Sequence, residues 1–127
     1  MRIKLNSIIV DNQEQALRFY TEVLGFNVKM DIPAGEFRWL TVVSPDEPDG
    51  TELLLEPNAN EAAATFQCAM YEQGIPLSSF AVDDIEAEHA RLKSLGVKFT
   101  TQPTDVGGAV VAAFDDTCGN LIQISQT

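Results

Sequence analysis

Basic residues are scarce in this chain. Its 127 residues include eight Lys and Arg against nineteen Asp and Glu, so the formal net charge at pH 7 is −11. Nucleic acids and anionic membranes both select basic surfaces. The charge balance therefore argues against nucleic-acid and membrane partners, and it favours a protein that electrostatic repulsion keeps in solution.

Long apolar runs are also missing. No stretch approaches the roughly 20 apolar residues that a membrane-spanning helix needs. The N-terminal sequence MRIKLNSIIVDNQ carries two positive charges, but it lacks the long apolar core and the small-residue cleavage site of a signal peptide. We interpret it as a first β-strand and expect the protein to be cytoplasmic.

Residues with nucleophilic or metal-binding side chains are few. Cys68 and Cys118 lie 50 residues apart without a partner motif, so one disulfide is possible but nothing requires it. We expect two reduced thiols. The one histidine, His89, borders the apolar stripe of a predicted helix, where a structural role is commoner than metal ligation.

The main feature that the sequence does contain is an internal repeat. Residues 8–26 read IIVDNQEQALRFYTEVLGF and residues 80–97 read FAVDDIEAEHARLKSLGV. Each is an apolar strand that ends in Val-Asp and is followed by a helix and a Leu-Gly pair. Asn12 and Asp84 are good N-cap residues for the two helices. The first helix is one residue longer than the second.

Three strand-like segments follow each helix, so the sequence predicts an α+β fold of two pseudo-symmetric β-α-β-β-β units. Unit one covers residues 1–57, unit two covers residues 75–127, and residues 58–74 predict a linker helix. One unit cannot bury both faces of its sheet. Two units side by side can form a curved sheet around a trough, which suits a small-molecule pocket.

Three segments carry a resemblance to a known family. They are VDNQEQALRFYTEVLGF, FAVDDIEAEHARLKSLGV and DDTCGNLIQI, which together resemble the vicinal oxygen chelate superfamily of glyoxalase I, bleomycin resistance proteins and extradiol dioxygenases. The resemblance covers nearly the whole chain. It implies a glyoxalase-like fold, often a dimer, and often one divalent metal held by four side chains on the first and last strands.

The resemblance places poor metal ligands at the expected positions. It points to Leu5, Leu77 and Gln123, and the fourth position is either Leu54 or Glu52 because the register of TELLLEP is ambiguous by two residues. Zinc, nickel and iron sites need imidazole, carboxylate or thiolate ligands. This set offers at most one anion, so we expect no protein-held metal and no other cofactor.

Without a metal, the resemblance implies a protein that binds a small apolar or aromatic molecule in the trough. Leucines and an aromatic residue would line the pocket, a glutamine and two serines would form directional hydrogen bonds, and an arginine would add charge. The predicted ligand-binding residues are Leu5, Ser7, Arg38, Trp39, Leu54, Leu77, Ser79 and Gln123. Because such family members usually work as dimers with shared pockets, we expect a homodimer.

The alternative is a lyase, isomerase or dioxygenase-type enzyme of the same superfamily, with or without a divalent metal. Its catalytic residue would be Glu52 or Glu56, acting as a general base. A carboxylate beside leucines is expected to have a raised pKa, which suits proton abstraction.

Overall fold

Each half of the repeated sequence forms a four-stranded sheet with a helix packed on one face. The computed structural model describes residues 1–127, which divide into two compact units, Met1–Phe66 and Gln67–Thr127. The boundary lies within the helix formed by the linker segment. The predicted α+β class and the two β-α-β-β-β repeats are confirmed.

The first unit contains four strands and one helix in the predicted order. They are β1 (Leu5–Val10), α1 (Gln13–Arg18), β2 (Asn27–Ala34), β3 (Phe37–Val43) and β4 (Glu52–Pro57). The strands form sheet A in the order β1-β4-β3-β2. β1 runs parallel to β4, and the other neighbouring strands are antiparallel.

The second unit repeats this arrangement after the linker helix. The elements are α2 (Glu61–Glu72), β5 (Ser78–Ala81), α3 (Ile85–Ser94), β6 (Phe99–Asp105), β7 (Val110–Asp115) and β8 (Leu121–Gln126). Sheet B has the order β5-β8-β7-β6, with β5 parallel to β8. The internal sequence repeat is therefore also a repeat of topology. None of the helices is both long enough and apolar enough to cross a membrane.

The predicted N-caps begin both of the repeated helices. The Asn12 side chain accepts a hydrogen bond from the backbone N–H of Gln15 at 2.9 Å. The Asp84 side chain accepts one from the backbone N–H of Ala87 at 3.1 Å. Each cap satisfies a backbone donor that the first helical turn leaves without a partner, which fixes where the helix starts.

The extra residue of the first helix corresponds to a π-helical turn. α1 continues directly into this turn at Phe19–Val23, and a π turn holds more residues than an α turn. Phe19 and Tyr20 are buried there, with ring centroids 5.6 Å apart in an edge-to-face arrangement. The insertion is thus absorbed while both aromatic rings remain in the core.

One face of each sheet carries the apolar core beneath its helix. In sheet A, Ile8, Val10, Leu40, Val42 and Leu55 are at most 3% exposed, and α1 contacts β3 and β4. Because side chains alternate along a strand, the intervening residues face away from α1. We call this opposite side the distal face of sheet A. The distal face of sheet B is defined in the same way relative to α3, which contacts β6, β7 and β8.

A buried glutamine joins α1 to two strands. The Gln13 side chain donates from Nε2 to the backbone carbonyls of Arg38 at 2.7 Å and Leu55 at 2.9 Å. Its Oε1 accepts a hydrogen bond from the backbone N–H of Arg38 at 3.0 Å. One amide therefore satisfies three backbone groups and holds β3 and β4 against the start of the helix.

Arg38 adds an ionic connection on the same side of the sheet. Its guanidinium lies 2.6 Å from the Glu14 carboxylate on α1 and makes two hydrogen bonds to Asp31 on β2, at 2.9 and 2.7 Å. The hydrogen bonds from Arg38 hold the pKa of Asp31 below its ordinary value. Arg38 thus faces α1 and connects the helix with the β2–β3 hairpin.

The turn between β7 and β8 is built around a buried carboxylate. Asp116 accepts hydrogen bonds from the backbone N–H groups of Cys118 at 2.7 Å and Asn120 at 3.0 Å, and from the Asn120 side chain at 2.8 Å. Gln67 on α2 donates to the Cys118 carbonyl and to Asn120 Oδ1, both at 3.1 Å. This network attaches the linker helix to the last hairpin of the second unit.

Replacement of Gly119 by alanine should destabilise the second unit. Gly119 has φ of 97°, and an added Cβ would lie 2.7 Å from Nε2 of the doubly hydrogen-bonded Gln67. Gly107→Ala is a matched control because Gly107 has φ of 85° but open space around its Cβ position. We expect Gly119→Ala to cost about 1–2 kcal/mol more than the control in urea unfolding. Equal losses would contradict the role of Gln67.

Lowering the pH should remove the contribution of the Asp31–Arg38 pair. The pKa of Asp31 is lower in the folded protein than in the unfolded chain. The pair therefore stabilises the fold at pH values above the pKa of the unfolded chain, and this stabilisation is lost as the pH falls through the pKa of the folded protein. Because both side chains are partly exposed, we expect Asp31→Asn to cost at most about 1 kcal/mol at neutral pH. Urea unfolding of both proteins should show this difference shrinking below about pH 4. A difference independent of pH would contradict the assignment.

Candidate functional site

The distal face of sheet A brings together most of the residues that the sequence singled out in the first unit. Leu5 on β1 lies opposite Glu52 on β4, and Ser7 lies opposite Leu54. Leu54 is also opposite Thr41 on β3. Directly opposed residues share one face of a sheet, so these five side chains form a continuous patch.

Large apolar side chains surround this patch and remain accessible. Ile32 on β2 lies opposite Trp39, and Met30 lies opposite Thr41, so they belong to the same face. Leu5, Met30, Ile32, Phe37 and Trp39 are between 37% and 47% exposed. Their shared orientation concentrates exposed apolar surface on one side of the unit, which is a common property of ligand or partner sites.

Arg38 does not lie with the other predicted ligand-binding residues. It is adjacent to Trp39 in β3, so the two side chains point to opposite faces. Its guanidinium is engaged by Asp31 and Glu14, which raise its pKa. The positive charge of Arg38, which was expected in the pocket, therefore forms ion pairs on the α1 side of the sheet.

Glu52 is a carboxylate that neighbouring side chains hold in place beside the exposed apolar residues of the distal face. Its Oε1 accepts a hydrogen bond from the Thr41 hydroxyl at 2.8 Å, and its Oε2 lies 3.4 Å from Lys4 Nζ. The Glu52 side chain is 12% exposed, whereas the Lys4 side chain is 52% exposed. Thr41 is fully buried, so it holds the carboxylate in a defined position.

The expectation of a raised pKa for Glu52 is wrong. The hydrogen bond from Thr41, followed by the contributions of Lys4, lowers the pKa of Glu52 and outweighs the opposing effect of burial. A general base near neutral pH needs a pKa close to the working pH. Glu52 is therefore suited to remain an ionised hydrogen-bond acceptor rather than to exchange protons.

Glu56 lies further along the same strand. It is opposite Ile9 of β1 and shares the distal face with Glu52, but it is exposed near the end of β4. No hydrogen bond or ion pair positions its carboxylate. The structure thus brings both predicted catalytic residues to one face without pairing them.

The distal face of sheet B carries a neutral, hydrogen-bonded pair of side chains. Gln123 on β8 lies opposite Ser79 on β5, and Gln123 Nε2 donates to Ser79 Oγ at 3.0 Å. Ala113 on β7 is the other neighbour of Gln123. Leu77 precedes β5, where its backbone N–H donates to the Leu121 carbonyl. The half-buried amide of Gln123 therefore has a serine partner and small neighbours.

The strand pairing settles which residue of β4 corresponds to Gln123. Ser7 and Leu54 are opposite each other in sheet A, as Ser79 and Gln123 are in sheet B. Leu54 is thus the counterpart of Gln123, and Glu52 corresponds to Leu121.

Thr41 and Lys4 were not predicted from the sequence as site residues. Thr41 could have been found from strand alternation, because it lies two residues from Trp39 and therefore on the same face.

The residues at the expected metal positions do not fit a metal site. Leu5 and Leu54 in the first unit have no donor atoms, and in the second unit Leu77 has none and Gln123 has only a neutral amide. No group of three His, Cys, Asp or Glu side chains could hold a metal ion. His89 lies on α3 with its ring packed edge-on against Phe99, at 4.5 Å between centroids.

Comparisons with known proteins agree with this architecture. The family model of the Glyoxalase/Bleomycin resistance protein/Dioxygenase superfamily matches residues 2–124. YurT of Bacillus subtilis (strain 168) is 56% identical over 126 residues, which covers 99% of both chains.

Two solved structures are similar in both fold and sequence. UcmS2 is 33% identical with a TM-score of 0.85, and the match covers 98% of this chain and 97% of that chain. TnmS3, an antibiotic binding protein from Streptomyces sp. CB03234, is 29% identical with a TM-score of 0.79, covering 99% and 95%. This chain belongs to the glyoxalase/bleomycin resistance protein/dioxygenase superfamily.

Proposed function

We propose that the protein binds a small apolar or aromatic molecule on the distal face of sheet A, without the divalent metal common in its family. The observation that carries this proposal is the alignment of five exposed apolar side chains, including Trp39, on one face of the sheet. Covering them with an apolar ligand would remove that surface from water, at roughly 25 cal/mol per Å² of apolar area.

Each distal face, taken by itself, offers hydrogen-bonding groups to a ligand. In sheet A, Ser7 lies beside Leu5 and Leu54 and offers a hydroxyl group. In sheet B, Gln123 and Ser79 form a neutral pair that offers donors and acceptors to a polar ligand group, with Leu77 close by in the chain. Few but well-placed polar groups among apolar ones are typical of small-molecule sites.

The similarity to TnmS3 supports a binding role. That protein is an antibiotic binding protein, and it matches almost the entire length of this chain at 29% identity. The chemistry of Glu52 points the same way, because a lowered pKa makes it a poor general base. We therefore favour binding over turnover, and Glu56 is the residue on which an enzyme would have to depend.

We also propose that the protein is a homodimer. β2 is an edge strand of sheet A, and an unpaired strand edge is a surface on which a second copy can pair without covering the distal face. Sedimentation velocity with and without an apolar ligand shows whether the distal face of sheet A binds a ligand or a second copy of the chain. Ligand binding at unchanged dimer content supports the binding role, whereas competition between ligand and dimerisation would assign this face to the second copy.

Replacing Trp39 should weaken the binding of an apolar probe. We expect Trp39→Ala to reduce the affinity for the neutral dye N-phenyl-1-naphthylamine by about 1–2 kcal/mol, roughly five- to thirtyfold, because an aromatic contact is lost. The increase in dye fluorescence on titration provides the measurement. Phe66→Ala is the matched control, since Phe66 is an exposed aromatic residue on α2. Equal losses in both variants would contradict the assigned site.

Metal removal should leave binding unchanged. The positions expected to hold a metal offer no adequate donor set, so elemental analysis of the purified protein should find zinc, nickel and iron far below one ion per chain. Dye affinity should be the same before and after dialysis against EDTA. A tightly bound metal near one per chain, or loss of dye binding after its removal, would overturn the metal-free proposal.

A further inference from the structure

We infer that Glu52 makes the distal face of sheet A selective for aromatic ligands that carry an ammonium or similar cationic group. This inference rests on the proposed function and specifies the class of ligand. Its structural basis is a carboxylate that is fixed, mostly buried and adjacent to accessible apolar side chains.

The carboxylate retains capacity for another hydrogen-bond donor. A carboxylate has about four acceptor positions. Thr41 occupies one on Oε1, and Lys4 approaches Oε2 at 3.4 Å. Thr41 is fully buried and cannot leave without disturbing the sheet, so it positions Glu52 in both the free and the bound protein.

Lys4 is a counter-ion that a ligand can replace. Its ammonium nitrogen lies 3.4 Å from Glu52 Oε2, which is long for a direct hydrogen bond, and its side chain is 52% exposed. Because the lysine partner is exposed, solvent screens its charge and its side chain loses conformational freedom on pairing, which limits what the pair contributes to stability. A ligand cation that is already oriented by contact with Trp39 and Leu5 can therefore take its place at low cost.

The charge of Glu52 and of the whole chain favours cations over anions. Hydrogen bonding from Thr41 lowers the pKa of Glu52, so the carboxylate is ionised at neutral pH. Glu56 adds a second carboxylate on the same face. The net charge of −11 further attracts cations and repels anions at low ionic strength.

Two probes that differ in charge test the inference. 2-(Aminomethyl)naphthalene is cationic at neutral pH, and 2-(hydroxymethyl)naphthalene is its neutral analogue. Affinities are measured by calorimetry, and contact is followed by the indole N–H resonance of Trp39, the one tryptophan in the chain. We expect the cationic probe to bind about tenfold more tightly, as charge-assisted hydrogen bonds are stronger than neutral ones.

Glu52→Gln should remove most of the tenfold ratio and leave only the weaker, salt-screened preference that Glu56 and the net charge provide. Glu61→Gln is the matched control because it removes one carboxylate from α2, and it should keep the tenfold ratio. The amide resonances of each variant report whether it remains folded. Persistence of the ratio in Glu52→Gln would overturn the inference.

Lys4→Met provides a second test that does not alter the carboxylate. Removing the competing cation should increase the preference for the cationic probe by about two- to threefold. Lys93→Met on α3 removes the same charge elsewhere and should leave the preference unchanged. An unchanged or smaller preference in Lys4→Met would show that Lys4 does not compete for Glu52, and it would overturn the inference even if Glu52→Gln failed to fold.

The wild-type result distinguishes the two proposals. If both probes shift the Trp39 resonance with equal affinity, the cation selectivity is wrong and the apolar binding role stands. If neither probe shifts it at millimolar concentration, both the selectivity and the proposed binding face are overturned.

Discussion

The orientation of β3 relative to α1 depends on the side chain of Gln13. Its amide group bonds to both the N–H and the carbonyl of Arg38 and to the carbonyl of Leu55, so β3 and β4 are held in one register beneath the helix. A shift of β3 by one residue would exchange its two faces. Arg38 would then leave its partners on α1 and β2, and Trp39 would be driven into the core.

The chemistry of the distal face follows from this register. Thr41 lies two residues beyond Trp39 and hence on the same side, where it meets Glu52 across the sheet. A carboxylate among leucines would ordinarily be costly to keep charged. Here a buried hydroxyl and a lysine compensate for that cost, and the result is an anion beside an apolar surface rather than a proton acceptor. This combination distinguishes the first unit from the second, where Gln123 and Ser79 are both neutral.

The sequence predicted the fold well because its signals are local. N-caps and periodicity act over a few residues, and the repeat shows each local pattern twice, so together they correctly indicated two β-α-β-β-β units. The site was harder to predict because it depends on pairing between distant strands. The alternation of side chains along β3 is enough to predict that Arg38 and Trp39 lie on opposite faces. Only the pairing of β3 with β4 brings Thr41 to Glu52 and lowers the pKa of Glu52. The buried hydrogen bonds of Gln13 and Gln67 likewise join residues far apart in sequence, so no local pattern predicts them.

A crystal structure of the protein with N-phenyl-1-naphthylamine tests the central claim most directly. Ligand binding on the side of sheet A turned away from α1 predicts electron density for the dye in contact with Trp39 and Ile32. Dye density on the α1 side of the sheet, or on α2 with the Trp39 surface still in contact with solvent, would contradict it.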